Sequence, residues 1–241
     1  MITIMRRLGI MAVGLALVVG MAGSACGNAQ DAPPVVPPPG IRATVPAEFP
    51  DIEEARLRQL ALEPDDLPPD FALAYEDATE EEGAITYVAH YFNQQISSDE
   101  ELLEARGPAS IDVMVVLFED EGGSRRFFQE FASLSSEDLV RYTQTQSHWS
   151  AEDLGMEQGE VQAELAALRT FGDESVAWQV YETIRHAETD TELITVDLSV
   201  CMRRGRAVGM IDIGAIGAPP EKQAVEALAA KLESRLAVGL R

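Results

Sequence analysis

Segments that alternate apolar and polar side chains recur along the chain. In the first half they cover Phe71–Tyr75, Ala84–Asn93 and Ile111–Phe118, and a polar, acidic connector from Ile96 to Ser110 separates the last two. Alternation with a period of two turns one side of a segment toward a core, which is typical of β-strands. We therefore expect three strands in this half of the chain.

The alternation returns in the second half, behind a turn at Phe171–Ser175. Farther along, Glu192–Met202 and Arg206–Ile213 predict a β-hairpin around the loop Arg203-Arg204-Gly205. The strand that begins after the turn carries two sets of side chains on opposite faces: Val176, Trp178 and Val180 on one, and Ala177, Gln179 and Tyr181 on the other.

Apolar residues at helical spacing predict the helices. A first helix is expected over Asp51–Leu62, and Glu137–Thr145 is a candidate for another, whereas Val161–Leu168 is ambiguous. Gly122-Gly123-Ser124 predicts a helix start capped by the Ser124 hydroxyl, and Pro219-Pro220-Glu221 opens a final helix. The inward residues of these last two helices are Phe127, Phe128, Phe131 and Leu134 in one, and Val225, Leu228, Ala229, Leu232 and Leu236 in the other.

The order of elements is strands then helix, twice over. Hairpins imply mainly antiparallel pairing, so we expect an α+β fold with helices covering a twisted, mainly antiparallel sheet. Residues 49–241 are long enough for a single domain with one good core, and we assign them to one.

The N-terminal segment has the composition of a bacterial export signal. Arg6 and Arg7 form a basic head, an uncharged run covers Leu8–Ala25, and small residues at Gly23-Ser24-Ala25 precede Cys26. This order resembles a lipoprotein signal. We expect residues 1–25 to be removed and Cys26 to be acylated, which would hold the protein on the outer face of the bacterial cell membrane.

Two alternatives stay open for this segment. Gly23 stands where lipoprotein signals usually carry Leu, and Gly23 with Ala25 also suits an ordinary signal-peptidase site, which would give a secreted protein with a free Cys26. The uncharged run could also remain as a membrane anchor, although it is near the lower limit of length for spanning. Residues 26–48 then form a tether, proline-rich between Ala32 and Gly40, that acts as a semi-rigid spacer.

The net charge limits which molecules the protein can bind, and the cysteine content limits the disulfides it can form. The chain of 241 residues carries a formal charge of −23, which repels nucleic acid and excludes it as a partner. The chain has two cysteines, so with Cys26 acylated Cys201 has no disulfide partner. Cys201 lies in an apolar strand and is expected to be a small buried hydrophobe.

No motif in the sequence indicates catalysis, a metal or a cofactor. Hydrolase signatures around serine or cysteine are missing, and the three histidines are far apart, so His90 is expected to be a core or sheet-edge residue. The acidic runs, such as Glu119-Asp120-Glu121, lack the spacing of calcium loops. Arg203, Arg204 and Arg206 form a dense basic spot, which we interpret as a solvated hairpin tip.

The register of the predicted hairpin decides whether two aspartates meet. A turn on Arg204-Gly205 alone would place Asp197 opposite Asp212, as in a catalytic acid pair. A three-residue loop with Gly205 in the left-handed conformation instead places Val200 opposite Val208 and Asp212 opposite Val196. The second register avoids like-charge repulsion. We therefore expect the two aspartates to be separate surface or rim groups.

Short motifs resemble a known group of envelope proteins. They are Asp66-Leu67-Pro68-Pro69-Asp70-Phe71, Gly172-Asp173-Glu174-Ser175, and Arg203-Arg204-Gly205-Arg206 before a strand and a terminal helix. The group comprises poorly characterised bacterial lipoproteins related to mycobacterial envelope lipoproteins and to the extracellular sensor domains of receptor serine/threonine kinases. The resemblance implies a PsbP/Mog1-like fold used for binding. Those sensor domains carry disulfides, which this chain cannot form.

The function predicted from the sequence is therefore that of a membrane-anchored, non-catalytic binding or sensor-like domain. Its partner would be an envelope protein, an envelope lipid or an apolar small ligand. The alternative is an envelope hydrolase with an unrecognised active site. No motif assigns the ligand-binding residues; the aromatic side chains where a pocket is expected are Trp178, Tyr181, Phe127, Phe128 and Phe131.

Overall fold

The computed structural model describes residues 54–81, 83–96, 101, 104–153, 156–186 and 190–240. The predicted signal, Cys26 and the tether lie outside the described residues. The helices are α1 (Glu54–Leu60), α2 (Glu121–Ala132), α3 (Ser136–Asp153) and α4 (Lys222–Gly239). The strands are β1 (Phe71–Glu81), β2 (Ala84–Asn93), β3 (Gly107–Phe118), β4 (Met156–Leu165), β5 (Glu174–His186), β6 (Thr191–Arg204) and β7 (Ala207–Ile216).

The strands form one antiparallel sheet in the order β1-β2-β3-β7-β6-β5-β4. The α+β class and the antiparallel pairing predicted from the sequence are confirmed. The sheet extends beyond the predicted segments, because β1 continues to Glu81 and β3 begins at Gly107, within the stretch predicted as a connector. The ambiguous segment near Val161 is strand β4, at one edge of the sheet.

Helices cover both faces of the sheet. On one face, which we call the α4 face, α4 contacts α1 and packs over a core that includes Val115, Leu198 and Ile211. Gly209 lets α4 approach closely, since a Cβ there would lie 2.9 Å from side-chain carbons of Leu232 and Leu236. The inward residues predicted for α4 are all buried.

The other face, which we call the α2 face, is covered by α2 and the start of α3. Its core contains Phe127, Phe128 and Phe131 of α2 packed against Met114, Val116, Trp178, Cys201, Val208 and Met210 of the sheet. Cys201 is fully buried, as predicted, and burial raises the pKa of its thiol. Among the described residues, no helix is long and apolar enough to cross a membrane.

Two local predictions about caps and turns are wrong. The Ser124 hydroxyl does not cap α2; the cap is Asp120, whose side chain accepts a hydrogen bond from the Gly123 amide. Ser124 lies one turn farther in and donates to the carbonyl oxygen of Gly205, which ties α2 to the β6–β7 turn. Asp120 fits the cap because its extended backbone and short carboxylate suit that position.

The basic spot at this turn is not wholly a solvated tip, because one of its three arginines is buried. Arg203 is 4% exposed and forms ion pairs with Asp173 and Glu174, at 3.3 and 3.0 Å. Arg204 also pairs with Asp173, and the Asp173 side chain accepts from the Gly205 amide at 2.8 Å. Arg203 and Arg204 therefore join the β6–β7 turn to the start of β5.

Candidate functional site

A row of polar and aromatic side chains crosses the α2 face of the sheet. The antiparallel registers pair Asp112 with both His90 on β2 and Asp212 on β7. Asp212 pairs in turn with Ser199. Paired residues in a sheet point to the same face. The same pairing continues outward to both sides, so that the complete row, which we call the polar row, is Tyr75, His90, Asp112, Asp212, Ser199 and Trp178.

Two further acids lie next to the polar row on the same face. Asp197 is two residues before Ser199 on β6, and Glu182 is on β5 opposite Thr195. Together with Asp112 and Asp212 they form what we call the acidic cluster, and the electrostatic influence of the other three acids reaches Asp197. The sheet therefore brings four carboxyl groups from β3, β5, β6 and β7 together.

Hydrogen bonds hold three of the four carboxyl groups of the acidic cluster. The Nδ1 atom of His90 lies 2.8 Å from Oδ1 of Asp112, and their side chains are 11% and 14% exposed. The Ser199 hydroxyl donates to Oδ1 of Asp212 at 2.9 Å. Gln158 donates to Glu182 at 2.6 Å. A carboxylate held by such donors has a fixed orientation, which is a requirement for selective binding.

The acidic cluster retains protons that isolated carboxyl groups would release. Burial, and after it the charge of Asp112, raises the pKa of Asp212 to about 7, against the opposing effect of its bonds from Ser199 and the Ile213 amide. Burial followed by the charges of Asp212, Glu182 and Asp112 raises the pKa of Asp197 well above its usual range. Burial also raises the pKa of Asp112, against the opposing effect of His90.

Helix α3 contributes a further group to this region. Burial, together with the charge of Asp212, raises the pKa of the Tyr142 phenol, so this side chain is neutral at physiological pH. Adjacent like charges and partial burial both disfavour ionisation. The arrangement can therefore store a proton, exchange it near neutral pH, and attract positive charge.

The aromatic residues predicted to line a pocket do not form one group. Phe127, Phe128 and Phe131 are buried core residues between α2 and the sheet. Trp178 is 5% exposed within the same core and belongs to the polar row, and its Nε1 atom has no hydrogen-bond partner among the described residues. Tyr181 lies on the opposite face of β5, since it is separated from Trp178 by an odd number of positions.

Both registers considered for the β6–β7 hairpin are wrong. The turn consists of Gly205 and Arg206, with Arg204 paired to Ala207. Asp212 therefore faces Ser199 and Asp197 faces Gly214; both aspartates are half-buried, and they are not separate, since the charge of Asp212 raises the pKa of Asp197. Reasoning from the sequence missed the acid that does face Asp212. It is Asp112 on β3, the strand on the other side of β7.

The surroundings of His90 and of the acidic runs are defined in the structure. The structure confirms His90 as a hydrogen-bonded sheet residue, although its partner is the buried carboxyl of Asp112. Within the described part of the chain, no group of three His, Cys, Asp or Glu side chains has an arrangement that could hold a metal ion. Among the acidic runs, Asp120 serves as the cap of α2, while Glu119 and Glu121 are exposed.

The fold defines the chain as an α+β domain with a single antiparallel sheet between two helical layers. No family model and no curated protein matches the sequence. The structure is similar to the extracellular domain of PknH from Mycobacterium tuberculosis, with 13% identity, a TM-score of 0.42, and coverage of 78% of this chain and 97% of that one. LpqN, involved in cell envelope biogenesis of Mycobacterium tuberculosis, matches with 12% identity, a TM-score of 0.26, and coverage of 68% and 75%.

Proposed function

We propose that the protein is an extracytoplasmic lipoprotein whose α+β domain, of PsbP/Mog1 type, binds a small polar ligand at the acidic cluster of the α2 face. The observation that carries this proposal is the convergence of four carboxyl groups, from four strands, on one region of the α2 face. Burying carboxyl groups together costs free energy unless something compensates them. A bound ligand supplies such compensation, and Phe127, Phe128 and Phe131, which were predicted to line a pocket, are packed core residues.

The geometry favours binding over acyl-transfer catalysis. Ser199 and His90 lie on β6 and β2, with β7 and β3 between them. Three strand spacings separate them by about 14 Å, far beyond the reach of a serine–histidine hydrogen bond. The hydroxyl of Ser199 is bonded to Asp212 instead. The nucleophile and base of a serine hydrolase are therefore not assembled here.

Native mass spectrometry of the full-length protein, released in detergent from the envelope of its own host, tests the binding site. We expect the wild-type protein to carry a small-molecule mass that the Asp112→Asn/Asp212→Asn variant loses. The Asp70→Asn variant, altered at an exposed carboxyl group just before β1, is the matched control and should keep the adduct. An adduct retained by the double variant, or a wild-type protein without any adduct, would contradict the proposal.

Membrane anchoring through Cys26 is tested separately. Because acylation of one cysteine attaches the hydrocarbon chains, the Cys26→Ser variant should move from the membrane fraction to the soluble fraction and lose labelling by a palmitate analogue. The Cys201→Ser variant is the control, since that thiol is buried in the domain. Native protein that stays membrane-associated without any acyl label would overturn the lipoprotein assignment.

One observation favours a second candidate function, an envelope hydrolase. Asp112 and Asp212 face each other on neighbouring strands, and the pKa of Asp212 is raised to about 7, which suits a general acid at neutral pH. If this pair is catalytic, Asp212→Asn should abolish turnover of model glycosides or esters, and the wild-type rate should show a pH dependence near 7. Equal rates for the two proteins would eliminate this candidate.

A further inference from the structure

The two rows of the sheet that carry the acidic cluster hold more carboxyl groups than cationic side chains. On the polar row and on the adjacent row that contains Asp197, the described residues include no lysine or arginine, and His90 is the one cationic residue type present. Arg203 projects from the same face of β6, but it lies four residues from Ser199 and is engaged by Asp173 and Glu174. A buried group of acids with one histidine has its strongest electrostatic affinity for a positive charge.

The indole N–H of Trp178, in the same row, requires a hydrogen-bond acceptor. The Trp178 side chain is 5% exposed, projects from the α2 face beside Ser199, and its Nε1–H has no partner among the described residues. A buried indole N–H without an acceptor is costly, and tryptophan usually finds one when buried. The partner that this N–H lacks must carry an oxygen or nitrogen lone pair, which a bare metal ion does not have.

Four carboxyl groups and one unpaired indole N–H on the same sheet face together describe the recognition of an organic ammonium group that is attached to an acceptor oxygen.

We propose that the polar row and acidic cluster bind an organic amine, whose ammonium group lies among Asp112, Asp197 and Asp212 and whose oxygen accepts from Trp178. This inference rests on the proposed function and adds the chemical class of the ligand. Binding stabilises the ionised form of the acids. Since Asp212 holds a proton near neutral pH, amine binding releases protons to the solvent.

The test uses the full-length protein with tyramine as the probe and its alcohol analogue, 4-(2-hydroxyethyl)phenol, as the neutral control. The indole N–H signal of Trp178 in a ¹⁵N-labelled sample is the readout, and Trp149 provides the second indole as an internal reference. Trp178→Phe assigns the signal. We expect tyramine to shift it at concentrations at which the alcohol does not, and Asp212→Asn to weaken tyramine binding about tenfold or more. Calorimetry in two buffers of different ionisation enthalpy should show proton release at pH 7.

The outcomes separate this inference from the proposed function. If the alcohol binds as tightly as tyramine, or if calcium chloride shifts the Trp178 signal and tyramine does not, the amine assignment is overturned while a binding site at the cluster stands. If tyramine leaves Trp178 unchanged but the native adduct depends on Asp112 and Asp212, the amine assignment again fails alone. Asn is isosteric with Asp and relieves repulsion, so the variant is expected to fold, which far-UV circular dichroism verifies.

Discussion

The protein is expected to lose stability as the pH rises from about 4 to about 7. The pKa of Asp212 is raised from 3.8 to about 7, so in this range the folded state binds a proton that the unfolded state has released. The stabilisation is complete below the unfolded pKa and is lost as the pH passes the folded pKa. A shift of about three units corresponds to about 4 kcal/mol. Asp197 and Asp112, whose pKa values are also raised, add to the loss in the same direction.

Urea unfolding at a series of pH values measures this effect. The Asp212→Asn variant removes the titrating group, so its free energy of unfolding should change less over this range and should exceed that of the wild-type protein at pH 8. The control is Asp70→Asn, at an exposed position, which should leave the wild-type pH dependence intact. A wild-type protein that is as stable at pH 8 as at pH 5 would show that burial and neighbouring charges do not raise the pKa values of these acids.

Replacement of Gly172 by alanine should destabilise the protein more than the same change at Gly205. Both glycines have a positive φ, 63° and 54°, which costs an L-residue about 1–2 kcal/mol. At Gly172 a methyl group would also overlap the backbone oxygen of Arg203, which accepts from the Asp173 amide at 2.8 Å. At Gly205 the nearest atoms to a methyl group are 3.9 and 4.0 Å away.

The difference between the two variants isolates this steric contact. We expect Gly205→Ala to cost about 1–2 kcal/mol, from strain alone, and Gly172→Ala to cost at least about 1 kcal/mol more, because the Asp173–Arg203 hydrogen bond must break. Chemical denaturation of both variants under one set of conditions gives the comparison. Equal losses would mean that the turn relaxes freely, and that the contact between Gly172 and Arg203 does not fix the start of β5.

The elements with strong periodicity were predictable from the sequence. Strand β2 has the predicted bounds, Ala84–Asn93, because its alternation is regular. The second half of β1, from Glu76 to Glu81, is acidic and lacks an apolar stripe, so nothing local indicates a strand there. It is a strand because β2 pairs with it through Glu81 and Ala84. Tertiary hydrogen bonding overrides weak local preference in such edge strands.

The candidate site was much less predictable, because it depends on registers and on the order of strands. Asp112, Asp197 and Asp212 are visible in the sequence, but their meeting requires β3 to lie beside β7, a neighbour distant in the chain. The turn at Gly205 is set partly by the carboxylate of Asp173, which is 32 positions away. A shift of a few positions changes every facing pair. The isolated polar residues within apolar strands, such as Asp112 and Asp212, were the signal that could have directed attention to this face.

The central claim is that burial and neighbouring acids raise the pKa values of carboxyl groups that meet on one face of the sheet. A pH titration of the aspartate and glutamate side-chain carboxyl carbons by ¹³C NMR tests it most directly. The account predicts that Asp212 titrates near pH 7, that Asp197 stays protonated well above the usual range, and that Asp212→Asn lowers the pKa of Asp197. Titration of both groups at the values of exposed aspartates, below about pH 5, would contradict it.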